Sequence, residues 1–419
     1  MKVLWIVNKC CGALHQKIHG KKATGGQWLE AMLDEVQQHT DDRIVVVNID
    51  NEPSLLEYSQ GNVSFYTIRG KQNENYNYKS QDSINEWRRI IEKEQPDVIE
   101  IWGTEFPYAL AAMQACENIP CVVYVQGILD SIAKYYLSGL SRKELRQAVS
   151  IRDLLTGSTI KQTAKKYEKR VSYEKEIVSR AKHIIVENHW AESYYKKMCP
   201  DVNVYFCPIS ISESFSSVQW SQDNMQAHSI MCPAANYPIK GLHMLIKALA
   251  IVKVKYPDVC LYIPGMVKKN PKSFNVKIKQ SGFDVLISKM IKELDVEDNI
   301  CFMGRLTADE MAEKMANVNC FAMTSAIENH SSTLKEAMMV GTPSVSSYVG
   351  GVPEYATDGV NCLLYRYEDY EMLAYNICRI FEDKELRVKL SENAMNFMRK
   401  TKEQTDYERM SEVLKKVME

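Results

Sequence analysis

Thr324-Ser-Ala-Ile-Glu-Asn-His-Ser-Ser-Thr-Leu-Lys-Glu-Ala-Met-Met-Val-Gly-Thr-Pro343 holds two glutamates eight positions apart, Glu328 and Glu336. The apolar run from Cys320 to Met323 leads in as a buried strand. Ser331, Ser332 and Thr333 are helix N-cap residue types, so a helix is expected from there to Val340. Gly341 ends it, and Pro343 opens the next strand, Ser344 to Tyr348. One carboxylate then lies in the strand-to-helix loop and the other on the first turns of the helix. Both are expected to face the crevice at the carboxyl end of a parallel sheet, where open α/β sheets bind ligands. Carboxylates accept hydrogen bonds from vicinal diols, and a helix N-terminus offers free N–H groups to an anion. Diols plus phosphates describe a nucleotide sugar. Spacing alone does not carry this reading, because paired acids on helices are ordinarily solvated surface. The flanking strand, cap and Gly-x-Pro supply the specificity.

Working outward, a length of 419 residues suggests two or three domains. Hydrophobic content of 45% and charged content of 25% fit a soluble globular enzyme. A net charge of -1 gives no global reason to expect nucleic acid as a partner. Met1-Lys-Val-Leu-Trp-Ile-Val-Asn8 reads as a first buried strand rather than a signal peptide. No apolar stretch approaches the ~20 residues of a membrane span. The twelve cysteines are scattered without a C-x-x-C pair, which favours free thiols in a reducing cytoplasm over disulfides or zinc.

Short β-branched runs alternate with helical stretches along the chain, which argues βα units and parallel sheets. The run begins twice, at Lys2 and at Ser229, on either side of a polar stretch without apolar periodicity. A linker is placed near Pro208–Gln226. The expected architecture is α/β, with two doubly wound, Rossmann-like parallel-sheet domains facing a central cleft. The first spans 1–208 and the second 209–400, with a C-terminal helix near 401–419 packing back on the first.

Several residues are candidates for chemistry. Gly25 and Gly26 precede a helix from Gln27 to Gln38, where glycines let backbone approach a phosphate, although a plain loop reads the same way. Lys240, in Tyr237-Pro-Ile-Lys-Gly-Leu-His243, holds the matching place in the second domain, where an ammonium neutralises a diphosphate leaving group. Arg305, after the strand Ile300–Gly304, is a second cation candidate or a surface arginine. Gly350 and Gly351 repeat the glycine-rich strand end and are expected to bring backbone close to a bound sugar. Thr104, Glu105 and Gln126 follow two strands of the first domain and are expected to point into the cleft, against a reading of ordinary loop polarity. Finally, the segment from Lys134 to Lys182 carries thirteen Lys/Arg against five Asp/Glu with aromatic residues at its edge. It reads either as a solvated helical face or as a surface for anionic lipid.

Taken together, these residues resemble the retaining glycosyltransferases of GT-B fold known as glycosyltransferase family 4, over nearly the whole chain. The string Glu-Ala-Met-Met-Val-Gly-Thr-Pro after Lys335 is the most specific part, and Trp-Gly-Thr-Glu and Gln-Gly-Ile-Leu are similar to a bacterial branch that builds capsule and other surface polysaccharides. The resemblance implies that Glu336 binds ribose hydroxyls, Glu328 contacts hydroxyls of the donor sugar and Lys240 binds the diphosphate. Asn329, His330, Ser331, Ser332 and Thr333 would complete the donor side. It implies no metal and no cofactor, a nucleotide-sugar donor, and a saccharide or lipid-linked acceptor. The expected location is the cytoplasm, from the free thiols, with the lipid reading of Lys134–Lys182 adding the inner face of the membrane as a place of peripheral attachment. Three departures stand out: Ala235 where the family usually has arginine, Asn329-His330-Ser331 in place of Gly-Phe-Gly, and Gln126 in place of a frequent histidine. They keep open two other readings, a nucleotide-sugar epimerase of the same fold and a non-catalytic partner protein.

Overall fold

The computed structural model describes residues 1–8, 27–50, 57–70, 73, 75–116, 118–209, 211–233, 237–265, 279–400 and 406–419. Two compact units emerge. The first comprises 1–130, 166–210 and 403–419, and the second 131–165 and 211–402. The helix Asp406–Met418 thus belongs to the first unit. A single boundary at 208 leaves 131–165 with the first domain; their contacts place them with the second.

In the first unit, eight strands run in the order β3-β4-β2-β1-β5-β6-β7-β8. They are β1 (Lys2–Val7), β2 (Arg43–Asp50), β3 (Glu57–Gln60), β4 (Val63–Arg69), β5 (Val98–Trp102), β6 (Cys121–Tyr124), β7 (His183–Val186) and β8 (Asn203–Phe206). Alternation decides the packing. Leu4 and Ile6 face a core shared with helices Gln81–Glu94 and Tyr108–Ala115. Val3, Trp5 and Val7 face the opposite core, shared with helices Gln27–His39 and Asp406–Met418. A strand buried on both faces has no polar side to show, which is why β1 and β2 read as continuous apolar runs. One strand departs from the all-parallel expectation. β3 pairs antiparallel with β4 through a tight turn at Gly61, whose φ of 59° favours glycine. β3 is an exposed edge with sequence Glu-Tyr-Ser-Gln, so it carries no apolar signal.

In the second unit the order is β11-β10-β9-β12-β13-β14, all parallel. The strands are β9 (Gln226–Met231), β10 (Cys260–Pro264), β11 (Ile300–Gly304), β12 (Val318–Met323), β13 (Ser344–Ser347) and β14 (Leu363–Tyr365). The polar stretch assigned as a linker packs onto this unit at two points. Phe215 and Trp220 are buried, and the Trp220 indole N–H donates to the Val318 carbonyl at 2.8 Å.

Candidate functional site

The strand order of the second sheet reverses between β9 and β12, and side-chain chemistry gathers at their carboxyl ends. Such a switch point leaves a crevice because the two following connections leave on opposite sides. After β9 the chain reaches a short turn, Pro238–Lys240, ahead of helix Leu242–Lys255. After β12 it runs through Thr324–His330 into helix Ser332–Val340. Two hydrogen bonds stitch the loops together: Ala326 N–H donates to Ile239 at 2.7 Å, and Thr324 Oγ1 donates to the Lys240 carbonyl at 3.0 Å. The stitch brings Lys240 Nζ to 2.6 Å from Glu328 Oε1, across 88 residues of sequence. Ser325 Oγ donates to the same oxygen at 2.5 Å. Burial pulls the Lys240 ammonium down, but Glu328, with Tyr237, outweighs it and holds the group above its ordinary value.

The loop after β13 closes the third side. Ser347 Oγ donates to the Ser325 carbonyl at 2.7 Å, and Gly351 N–H to the Glu328 carbonyl at 3.1 Å. A Cβ on Gly350 would stand 1.9 Å from that carbonyl oxygen, so the glycine pair lies directly on the Glu328 backbone.

Helix Ser332–Val340 begins as the sequence indicates. Ser331 is its N-cap and accepts from Leu334 N–H at 3.3 Å, and Gly341 caps the far end with φ 83°. The Ser331 N–H donates to the Tyr355 hydroxyl at 3.2 Å, and the His330 ring packs on the same tyrosine, with 5.3 Å between ring centroids. Ser332 and Thr333 supply first-turn N–H groups, which have no acceptor within a helix. Asn329 is buried. Glu336 sits one turn further on, half-buried, with no hydrogen-bond or ion-pair partner among the described residues. Burial alone pushes its carboxyl up to about 7. A carboxyl perturbed by burial beside a switch point makes Glu336 a candidate site residue.

Other candidates lie apart from this cluster. Arg305 is exposed at the end of β11, separated from β9 by β10. Gly25, Gly26 and Ala235 lie outside the described residues. In the first unit, Thr104, expected to point into the cleft, is held in the interior. It is 1% exposed, and its hydroxyl donates to Glu174 at 3.0 Å because that carboxylate also draws Tyr195 (2.7 Å) and Leu129 N–H (3.2 Å) inward. Burial raises the Glu174 carboxyl to about 7 despite these donors. Glu105 accepts from Asn8, joining the ends of β5 and β1, and Gln126 is half-buried after β6. Glu174 and Tyr195 were not apparent from sequence, since nothing in a helical Glu marks it as buried.

Comparison with known proteins finds similarity in the second unit. Residues 222–397 match the family described as Glycosyl transferases group 1. The likeness to group 1 glycosyltransferases is confined to that segment. The segment contains Lys240, Glu328, Glu336 and Gly350–Gly351, so the cluster at the switch point lies inside the group 1 region. The N-acetyl-alpha-D-glucosaminyl L-malate synthase of Bacillus anthracis is 31% identical over 108 residues, 26% of this chain and 28% of that protein. The first three curated relatives are matched over 28%, 35% and 36% of their own length, about a third. Among solved structures, sucrose-phosphate synthase from Thermosynechococcus elongatus aligns with TM-score 0.76 and 16% identity over 99% of this chain and 98% of that one. Anabaena Alr3699/HepE in complex with UDP and glucose aligns with TM-score 0.67 and 18% identity over 99% and 100%. At these identities the likeness is one of fold, and the fold is GT-B.

Proposed function

We propose that this chain is a retaining, metal-independent glycosyltransferase. It would move a sugar from a nucleoside diphosphate donor to a hydroxyl of a saccharide or lipid-linked saccharide, in cell-surface polysaccharide synthesis at the cytoplasmic face of a membrane. The observation that carries the reading is the pairing of two unlike carboxylates at one switch point. Glu336 is unpartnered and costly to ionise, suited to receive ribose hydroxyls. Glu328 is held by Lys240, next to where a diphosphate would meet the first turn of helix Ser332–Val340. As the glycosidic bond breaks, charge grows on the leaving diphosphate, and Lys240 with the N–H groups of Ser332 and Thr333 would stabilise it. Thr104 is committed to the interior, so the acceptor side is assigned to Glu105 and Gln126. The domain division at 208/209, amended for 131–165, gives the first unit to the acceptor and the second to the donor. The curated relatives include transferases and a synthase, which supports transfer over epimerisation and over an inactive partner.

The test is a thermal-stability screen of nucleoside diphosphates, uridine first, followed by donor turnover with and without an acceptor. A ligand at ~100 times its dissociation constant adds roughly 2.7 kcal/mol. Stabilisation by no nucleoside diphosphate would overturn the reading, and turnover to an epimer without acceptor would replace it. The anomeric configuration of the product, read by NMR, tests retention.

Metal independence is a separate expectation, because Lys240 and the helix N-terminus supply positive charge for the phosphates. Activity should persist in EDTA. Loss on chelation with rescue by magnesium or manganese would refute it.

Glu336 makes a two-sided prediction. Glu336→Gln should weaken nucleoside diphosphate binding by about 1–3 kcal/mol, as measured by calorimetry. The unliganded variant should be more stable than the parent near neutral pH, by about 1–2 kcal/mol. The sign follows from a folded-state value above the unfolded one: the native carboxyl keeps its proton between about 4.5 and 7, so stability falls as pH rises through that window. Ligand hydroxyls favour the ionised form, so affinity should rise with pH up to about 7. This rise should vanish in the variant, a comparison that cancels the titration of the nucleotide itself. Equal pH profiles for the two proteins would remove Glu336 from the site.

A further inference from the structure

Residues 131–165 are tied to the second unit along one side. The Ser138 carbonyl accepts from His243 Nε2 at 2.8 Å and from the Tyr367 hydroxyl at 3.0 Å. His243 is fully buried, and burial lowers it to about 4, so a neutral ring donates through Nε2. Glu144 pairs with Lys247 at 2.8 Å. Asp153 is buried and accepts from Gly282 N–H at 2.5 Å, where a Cβ would stand 2.2 Å from the Ala148 carbonyl. These anchors use both carboxylates in a segment that holds seven Lys/Arg.

The outward side has the opposite character. Helix Ile151–Thr156 turns Asp153 inward, and the helical period then places Ile151, Leu154 and Leu155 together on the outer face. They are 67%, 65% and 80% exposed. Arg142, Lys143, Arg146 and Arg152 are exposed in the same stretch, and among the described residues no free carboxylate of the segment accompanies them. Three aliphatic side chains held in water by a buried aspartate, in a stretch with four exposed cations, form a surface with a definite partner chemistry.

We propose that this face docks on an anionic lipid bilayer, with Ile151, Leu154 and Leu155 entering the interface and the basic residues resting on the headgroups. Charge selects the occupant. A second copy of this chain, meeting the patch through a two-fold axis, would set cations against cations. A protein partner would have to set carboxylates against all four cations while also covering the aliphatic turn. An anionic membrane takes both the apolar turn and the cations. The inference narrows the membrane part of the proposed function from a long basic stretch to one helical turn carried by the donor-side unit, and rests on that reading only for the lipid-linked acceptor.

The test is co-sedimentation of the full chain with phosphatidylcholine vesicles, with and without about 30% phosphatidylglycerol, a composition chosen to give a negative surface. Binding is expected only to the anionic vesicles and should weaken with salt. Leu154→Ser/Leu155→Ser should reduce it at least about tenfold, and Arg142→Gln/Lys143→Gln/Arg146→Gln by a similar factor. Melting temperature and nucleotide affinity should stay unchanged in both variants, because none of these side chains holds the fold or the donor site. Equal binding to neutral and anionic vesicles, or anionic binding that survives the serine substitutions, would overturn the proposal. So would a dimer in sedimentation equilibrium that the serine substitutions dissolve, which would make the face a self-interface. A protein that binds vesicles but no nucleotide would leave docking standing and remove the transferase reading.

Discussion

Replacing Lys240 by alanine is expected to lower kcat by about 10²-fold or more, a loss of roughly 2.7 kcal/mol, with the fold intact. The argument begins with charge. A nucleoside diphosphate leaving group gains negative charge on its departing oxygen, so a cation aimed there binds the transition state more tightly than the ground state. Arg305, the other cation considered, is exposed and a strand removed from β9, which leaves Lys240 the larger share. The structure adds a qualification that the sequence did not. Lys240 is already paired with Glu328 at 2.6 Å, so an incoming diphosphate must share or displace that partner. If Lys240 acts only by holding Glu328, then Glu328→Gln and Lys240→Ala should have the same effect, and the double variant should be no worse than either. If Lys240 acts on the leaving group, the double variant should be slower than Glu328→Gln alone. A Lys240→Ala variant with near-normal kcat and a raised KM would make the lysine a binding group and end the leaving-group assignment.

Much of the second unit was legible because its signals are local. The strand into Met323, the serine cap, the nine-residue helix and Gly341 in the left-handed conformation follow from residue types within one short stretch. Edge elements were not legible. β3 is polar and exposed, and β14 is three residues long, too short for a pattern. Longer-range facts were hidden for a different reason. Nothing in the sequence joins Lys240 to Glu328 across 88 residues, or shows that Thr104 turns inward to a buried Glu174. The polar stretch around Trp220 read as a linker because its two anchoring aromatics are too far apart to make a period. The placement of 131–165 with the second unit depends on hydrogen bonds such as His243 to Ser138, which composition does not encode.

Gly241→Ala should be among the most damaging single changes in the second unit, destabilising it by about 3 kcal/mol or more. Two costs combine. Gly241 has φ 69°, a conformation that carries a penalty of roughly 1–2 kcal/mol for a residue with a Cβ. The added carbon would also stand 1.6 Å from the Thr324 carbonyl oxygen, a backbone atom that no rotamer change relieves. The loops after β9 and β12 would have to part, straining the bonds from Ala326 to Ile239 and from Thr324 to Lys240, each contributing about 0.5–1.5 kcal/mol. Gly359→Ala is the control. Its φ is 66°, nearly the same, but no heavy atom stands within 4 Å of the position its Cβ would take. It should carry only the conformational penalty, so the difference between the two denaturation midpoints isolates the close approach of the loops. Because those loops carry Lys240 and Glu328, Gly241→Ala should also lose nucleotide affinity under conditions where it is still folded, whereas Gly359→Ala should not. Equal destabilisation by the two alanines would mean that the loops separate freely, and that the 2.6 Å contact between Lys240 and Glu328 is not enforced by the backbone beneath it.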